Sequence, residues 1–376
     1  MAERNQTTFI TGATGFLGSF LLRELLQRER RVMVMLREPF DQARGRLRHV
    51  MDVIGVDVDA AVGRGRVVLV PGSLPDSLPD VGELAPDDVL ACAASLQIFS
   101  NGTDEPFHTN VTGTLRLIEW ARRQGVRSIH AVSTAYVCGS YTDHVGERLH
   151  LPRPEFQTEY ERSKWEAEYH LADWGNEPDN TLTIYRPSFL VGDSTSGYTS
   201  QYGGFYQFAR VVSLLKQEYG RGDNSASTLI PLRIPGRPGD PQNFVPVDFA
   251  ARVIAEIMER KRFQGRIYHL TDPAPVTNGQ IKKYLEAYFN MHGGHFVEHD
   301  RVIHECTSAE SLMWEQYQAM TPRVTHNPRF EQSNTGELMR AAGIAFPAMT
   351  RERFFMLLDY AIASRWGRGL NGKALH

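Results

Sequence analysis

Thr7-Thr-Phe-Ile-Thr11, then Gly12-Ala-Thr-Gly-Phe-Leu-Gly18, then Ser19 to Arg28 with Phe20, Leu21, Leu25 and Leu26 at helical spacing, decide how the whole chain is read. They predict a short strand, a glycine turn and an amphipathic helix. Glycines at three-residue intervals allow a tight turn, let a pyrophosphate approach the backbone and let the helix pack closely, while the helix N-terminus faces the anion. A glycine triplet alone is a weak signal, and an ordinary strand-to-helix turn is its plain structural reading. Here a second strand-like run, Arg31-Val-Met-Val-Met-Leu36, follows one helix later. That is the context a dinucleotide-binding βαβ unit requires. A triphosphate-gripping loop is excluded, because no Gly-Lys-Ser/Thr follows the glycines.

At the tip of the second strand stands Arg37. An acidic residue there would bond the adenosine ribose hydroxyls, whereas an arginine pairs with a 2′-phosphate. The expected cofactor is therefore NADPH, with NADH less favoured. Arg44 and Arg48 add charge from the next helix, against the alternative that they are plain surface residues, and Glu38 offers Arg37 a surface ion pair instead.

A second cluster lies further on. Val126 to Val132 reads as a buried parallel strand ending in Ser133-Thr134-Ala135-Tyr136, and Tyr160-Glu-Arg-Ser-Lys164 opens a helical stretch. Residues four apart share one helix face, so a phenol and an ammonium stand on one wall. A neighbouring cation stabilises phenolate and draws a tyrosine pKa down towards the working range. That makes Tyr160 a candidate general acid. Taken alone, such a pair is a surface feature.

Glycine loop, strand-end hydroxyl and YxxxK occur here in the order found in the extended short-chain dehydrogenase/reductase family, which the sequence resembles. More narrowly, TGATGFLG (11–18), Asn110-Val-Thr-Gly-Thr114, VSTAYV (132–137), YERSKWEAE (160–168), YRPSFLVGD (185–193) and VPVD (245–248) resemble the branch containing thioester reductase domains and fatty acyl-CoA reductases. The resemblance covers roughly residues 7–272. It implies an α/β fold, a Rossmann-type doubly wound parallel sheet with a smaller, mostly helical C-terminal substrate lobe. It implies that Tyr160 donates the proton, that Lys164 holds the nicotinamide ribose and tunes Tyr160, and that Thr134, rather than Ser133, bonds the substrate oxygen. Cofactor contacts are expected at Thr11, Gly12, Thr14, Gly15, Phe16, Leu17 and Gly18, at Arg37 and Arg44, at Ser73, Leu74 and Ala93, and at Pro187 and Ser188 beside the carboxamide. Asn110 acts through helix and loop geometry or serves as a helix N-cap. Two positions depart from the family pattern: Gly72-Ser73-Leu74 lacks the Asp that bonds adenine in many relatives, and Cys92 stands before Ala93-Ala94 where many carry a His nearby.

The rest of the chain sets bounds. With 376 residues it is long enough for two units, and 41% hydrophobic with 23% charged residues is ordinary globular composition. A net charge of −3, from 41 Lys+Arg against 44 Asp+Glu, leaves no basic excess for a phosphate backbone, so no nucleic-acid partner is expected. No apolar run reaches the roughly 18 residues of a membrane span. The opening MAERNQTTFITG has neither a secretory core nor a transit-like composition, and a cytoplasmic protein is expected. Cys92, Cys138 and Cys306 read as reduced structural thiols. No metal is expected: HExxH is absent, His292-Gly-Gly-His295 is read as a loop, and Asp52 to Asp59 lacks the Gly and Glu of a calcium loop and is read as a solvated strand or turn.

Residues 1–187, with 242–272 returning, are expected to form the NADP(H)-binding domain. Residues 188–241 and 273–376 are expected to form the substrate lobe. In the latter, Tyr198, Tyr202, Phe205, Tyr206 and Phe208 offer either a pocket wall or core packing, and Arg351 to Trp366, with Phe354, Leu357, Leu358 and Ile362 on one side, offers a core or homodimer surface. The leading expectation is a stand-alone NADPH-dependent reductase of an acyl-CoA or carrier-protein thioester, giving an aldehyde and, with a second hydride, an alcohol. An acyl carrier protein is then an expected partner. The rival is a ketone or aldehyde reductase, or an alcohol dehydrogenase, for a secondary metabolite or steroid-like substrate. A nucleotide-sugar epimerase would retain NAD(H), against Arg37, and a non-catalytic cofactor sensor would not need Thr134, Tyr160 and Lys164.

Overall fold

The computed structural model describes residues 6–99, 102–141, 143–220, 227–297, 306–317 and 328–368. The first five residues, which belong to the reading of the chain's start, and parts of the expected lobe (221–226, 298–305, 318–327 and 369–376) lie outside them. In chain order the main elements are β1 (Thr7–Thr11), α1 (Phe16–Gln27), β2 (Arg31–Leu36), α2 (Phe40–Val53), α3 (Val58–Gly63), β3 (Val67–Pro71), β4 (Asp88–Ala91), α4 (Gly113–Arg123), β5 (Ser128–Val132), α5 (Glu159–Gly175) and β6 (Thr181–Pro187). They continue with β7 (Phe189–Val191), α6 (Phe205–Tyr219), β8 (Thr228–Pro235), β9 (Phe244–Pro246), α7 (Val247–Glu259), β10 (Ile267–Leu270), α8 (Asn278–Phe289), β11 (Met291–Val297), α9 (Ser308–Tyr317), α10 (Ser333–Ala342) and α11 (Arg351–Ala363).

The chain divides into two units. The first comprises Met1–Ser188, Val247–Thr271 and Phe330–Ala345. Its central sheet has seven strands, paired in parallel in the order β10-β6-β5-β4-β1-β2-β3. Strands buried on both faces need apolar side chains throughout, and β2 supplies them with Val32, Met33, Val34 and Leu36, all nearly inaccessible. Phe9 of β1, Met33 of β2 and Val89 of β4 pack with Leu117 and Trp120 of α4 and Trp174 of α5. α1 packs on α7. The winding reverses between β1 and β4, so the carboxyl ends of these two strands form the crevice where open α/β sheets bind ligands.

Phe330–Ala345, expected in the lobe, belongs to the first unit instead. Asn334 Nδ2 donates to Ile267 O at 2.9 Å and Gln332 Nε2 to Thr271 O at 2.8 Å, so α10 is held to the end of β10. Residues 242–246, expected with the first unit, fall in the second.

The second unit comprises Phe189–Pro246, Asp272–Arg329 and Phe346–His376. Besides α6, α8, α9 and α11 it contains a parallel pair, β8 with β11, and the short pair β7 with β9. His292-Gly-Gly-His295 is thus in a strand, not a loop, with a register shift between His292 and Gly294. Phe205 is core: its ring lies 5.2 Å from Phe244 and 5.0 Å from Phe354. In α11, Phe354, Leu357 and Leu358 are buried as expected, whereas Ile362 is exposed and Ala361 takes the inward position. Asp52 to Asp59 forms the end of α2, a turn and the start of α3, with Asp57 capping α3 through Ala60 N at 2.8 Å.

Three histidines of the first unit are deeply buried. Burial pushes His130 and His150 down to about 4 and His269 down to about 3. In the unfolded chain each titrates near about 6.5, so below that pH the unfolded state binds more protons and stability falls as pH is lowered. Their contribution is complete above pH 6.5 and is lost progressively towards pH 4. Melting temperature is therefore expected to drop steeply from pH 6.5 to 5 and to be flat from 7 to 8; an unchanged melting temperature at pH 5 would show that these rings are not held neutral.

Candidate active site

The glycine turn is built by close approach. Gly12 has φ +74°, and a Cβ there would stand 2.7 Å from Ala93 N; a Cβ on Gly18 would overlap Gly12 O. Thr11 Oγ1 accepts from Cys92 N at 3.1 Å and Ala93 N at 3.0 Å, which ties the end of β1 to the end of β4. Gly15 is exposed at the N-cap of α1, and Thr14 is half-buried beside it. The first amides of the helix, those of Phe16, Leu17 and Gly18, have no intrahelical acceptor. An exposed glycine before such a row of amides is a cradle for a pyrophosphate.

Arg37 follows β2, exposed and without an ion pair to any described residue. Glu38 does not take it up, because its carboxylate accepts from Phe40 N at 2.8 Å. Gly72 N donates to Leu36 O at 2.9 Å, so Ser73 and Arg37 stand at adjoining strand ends. Ser73 exchanges backbone hydrogen bonds with Ser77, and Leu74 packs where a Cβ on Gly113 would meet it. Arg44 pairs with Asp59 at 3.3 Å, as Arg48 does at 2.5 Å, both in exposed pairs.

Beyond β5 the chain turns through Ser133 and Thr134, both nearly inaccessible. Thr134 caps the short helix Ala135–Cys138, its Oγ1 accepting from Tyr136 N at 3.3 Å. Ser133 Oγ is buried without a partner among the described residues. The sequence pattern prefers Thr134; the packing leaves both hydroxyls at one strand end. On α5, Lys164 Nζ donates to Val132 O at 2.8 Å, which brings the ammonium to the same strand end. Asn110 is not an N-cap. Its Nδ2 donates to Ser95 O at 3.0 Å and Ser163 Oγ at 2.9 Å, and its Oδ1 accepts from Ser95 N. It thereby links the loop after β4 to the turn of α5 between Tyr160 and Lys164.

The electrostatics correct one expectation. Burial raises Tyr160 above the ordinary phenol range, helped by Glu161 and Cys92, and Lys164 does not pull it down. Burial also lowers Lys164, while Glu168 and Cys92 favour its charge. Cys92 is near enough to influence both groups, and burial pushes its thiol up to about 12. Burial thus favours the protonated form of both the phenol and the thiol, and for the phenol that is the form a proton donor needs.

One network has no counterpart in the reading of the sequence. Arg186 is fully buried and clamps Glu168 with Nε to Oε1 at 2.9 Å and Nη2 to Oε2 at 2.6 Å. Its Nη1 donates to Arg148 O at 3.0 Å and lies 3.1 Å from His150 Nε2. Glu168 is one turn beyond Lys164, and Arg186 directly precedes Pro187 and Ser188, whose N donates to Leu270 O at 3.1 Å. A charged residue inside an apolar strand, with a carboxylate four residues after the lysine, is the signal the sequence holds for it.

A parallel sheet with a glycine cradle at its switch point, and a neighbouring strand end that carries Ser133 and Thr134 and receives the ammonium of Lys164, are the framework of an NAD(P)-dependent oxidoreductase of the extended short-chain dehydrogenase/reductase type, and the chain is one. The NAD-binding family described as "Male sterility protein" matches residues 10–254, and the chain belongs to it. A linear gramicidin synthase of Brevibacillus parabrevis is 25% identical over 381 residues, 94% of this chain and 7% of that protein. The terminal R domain of the myxalamid PKS-NRPS biosynthetic pathway superposes with a TM-score of 0.80 at 20% identity, covering 97% of this chain and 92% of that one. A thiolation-reductase di-domain from an archaeal non-ribosomal peptide synthetase gives 0.71 at 19% identity, covering 96% and 91%. The chain spans only 7 to 27% of the length of the first curated relatives it matches. No helix among the described residues is long and apolar enough to cross a membrane.

Proposed function

We propose that the protein reduces an acyl thioester, carried on coenzyme A or on a carrier protein, to the aldehyde with NADPH. The observation that carries the reading is the bond of Lys164 Nζ to Val132 O, which holds the ammonium at the strand end where Ser133 and Thr134 follow, with Tyr160 one turn before Lys164 on α5. Resemblance to peptide-synthetase reductase domains supports the thioester as substrate. The bound nicotinamide supplies the hydride. Thr134 and Tyr160 hold the carbonyl oxygen as it becomes an alkoxide, where preorganised donors act most strongly, and Tyr160 gives up its proton to it. Lys164, held by Val132 O and with its charge favoured by Glu168, bonds the cofactor ribose in this reading. The hemithioacetal so formed collapses to thiol and aldehyde. A further round on the aldehyde would yield the alcohol.

Loss of NADPH absorbance with a medium-chain acyl-CoA and with the matching aldehyde tests this. Consumption with the thioester supports acyl reduction, and turnover of the aldehyde alone would make the protein a carbonyl reductase. Arg37, exposed and without an ion pair among the described residues, is assigned to the 2′-phosphate. Arg37→Ala is expected to weaken NADPH by about tenfold or more, the scale of a charge-assisted bond, and to leave NADH unchanged; equal losses for both cofactors would remove Arg37 from that role.

A further inference from the structure

The second unit contains a pocket that none of this chemistry uses. Its volume is about 100 Å³, and its wall is almost wholly apolar, formed by Phe205, Phe208 and Val212 of α6 and Leu285 of α8 together with Phe244 and Phe296. A few polar side chains interrupt it. Gln242 Nε2 donates to Asn278 Oδ1 at 3.0 Å, so these amides serve each other. Lys282 and Glu286, one turn apart on α8, pair through Nζ and Oε2 at 2.7 Å. The other carboxylate oxygen, Glu286 Oε1, is buried and accepts nothing from any described residue. Gly294 lies across from it, where a Cβ would come within 3.7 Å.

A carboxylate oxygen withdrawn from water without a donor is costly, and this one borders a cavity. Lys282 already balances its charge, so a second cation would meet the ammonium's repulsion. A neutral O–H or N–H fits better. A cavity of about 150 Å³ holds a benzene, so the space here suits a group of roughly four to six heavy atoms. We propose that this pocket binds a compact apolar group bearing one neutral hydrogen-bond donor, which bonds Glu286 Oε1 while the body lies against Phe205, Phe208 and Leu285. Such a group is either the tail of the substrate's acyl chain or a free small molecule.

Butan-1-ol and 1-fluorobutane, five heavy atoms each and differing in the donor, are the probes, titrated into the full chain with thermal stability as the readout. Saturable stabilisation by butan-1-ol, with 1-fluorobutane about tenfold weaker as the loss of one hydrogen bond implies, is expected. Val212→Phe, which fills the space, should abolish both responses. Glu286→Met, which keeps the volume and removes the acceptor, should erase the preference for the alcohol without loss of fold. No saturable response in the wild type, or a preference that survives Glu286→Met, overturns the site. Kinetics then separate the two sources, and this arm alone rests on the thioester reading. If the tail is the occupant, Val212→Phe lowers kcat/KM for 6-hydroxyhexanoyl-CoA at least tenfold and spares acetyl-CoA; if a free ligand is, both thioesters are spared while butan-1-ol binding is lost. A wild-type chain inert on every thioester would sink the proposed activity and leave the probe result standing.

Discussion

Replacing Tyr160 by Phe should reduce turnover by about 10²–10⁴-fold, the range that a positioned proton donor contributes, while NADPH affinity changes little. The ring remains, so the packing of α5 on the end of β5 is kept, and Lys164 keeps its bond to Val132 O. Only the proton delivered to the developing alkoxide is removed. Because burial holds the phenol above its ordinary range, the wild type should also show no loss of proton donation as pH rises through 8. Stopped-flow turnover beside equilibrium cofactor binding separates the outcomes. Turnover within threefold of wild type would remove Tyr160 from the chemistry, and a parallel loss of cofactor binding would give it a structural role. Thr134→Val and Ser133→Ala, made alongside, decide between the two hydroxyls: the one that holds the substrate oxygen costs activity, and the one that only packs does not.

The parts of this molecule legible in the sequence are those whose signal is local. Gly12, Gly15 and Gly18 lie within one turn and two neighbouring elements, and buried parallel strands such as β2 announce themselves as unbroken apolar runs. Tyr160 and Lys164 share a helix face by spacing alone. What the sequence does not disclose depends on partners far along the chain. β8, Thr228-Leu-Ile-Pro-Leu-Arg-Ile-Pro235, is interrupted by Pro231, and β11 contains His292-Gly-Gly-His295; each becomes a strand only by pairing with the other. The pairing of Arg44 with Asp59, on the following helix, is likewise a contact that spacing does not report. The return of α10 to the first unit rests on long-range contacts, the burial of Leu338 and side-chain bonds such as Asn334 to Ile267 O, which no periodicity reports.

Arg186→Met should destabilise the first unit by about 3–5 kcal/mol, the cost of leaving a buried charge without its partner. Glu168 would then hold a carboxylate with almost no access to water, and Arg148 O and His150 would each lose the same guanidinium. The double variant Arg186→Met with Glu168→Met should regain most of that stability, since a buried ion pair replaced by apolar groups of similar volume is often near neutral. Urea denaturation of the two single variants and the double completes the cycle; additive losses would mean that the pair does not act as a unit. Activity should not follow stability. Glu168 is the leading charge that favours the ammonium of Lys164 against burial, and the strand that Arg186 anchors continues into Pro187 and Ser188. A refolded double variant would therefore bind NADPH less tightly and turn over more slowly than its melting temperature suggests. Lys164 would also lose its proton at lower pH than in the wild type. The separation of stability from pH-dependent turnover in the double variant therefore measures how far the buried pair serves the site beyond the fold.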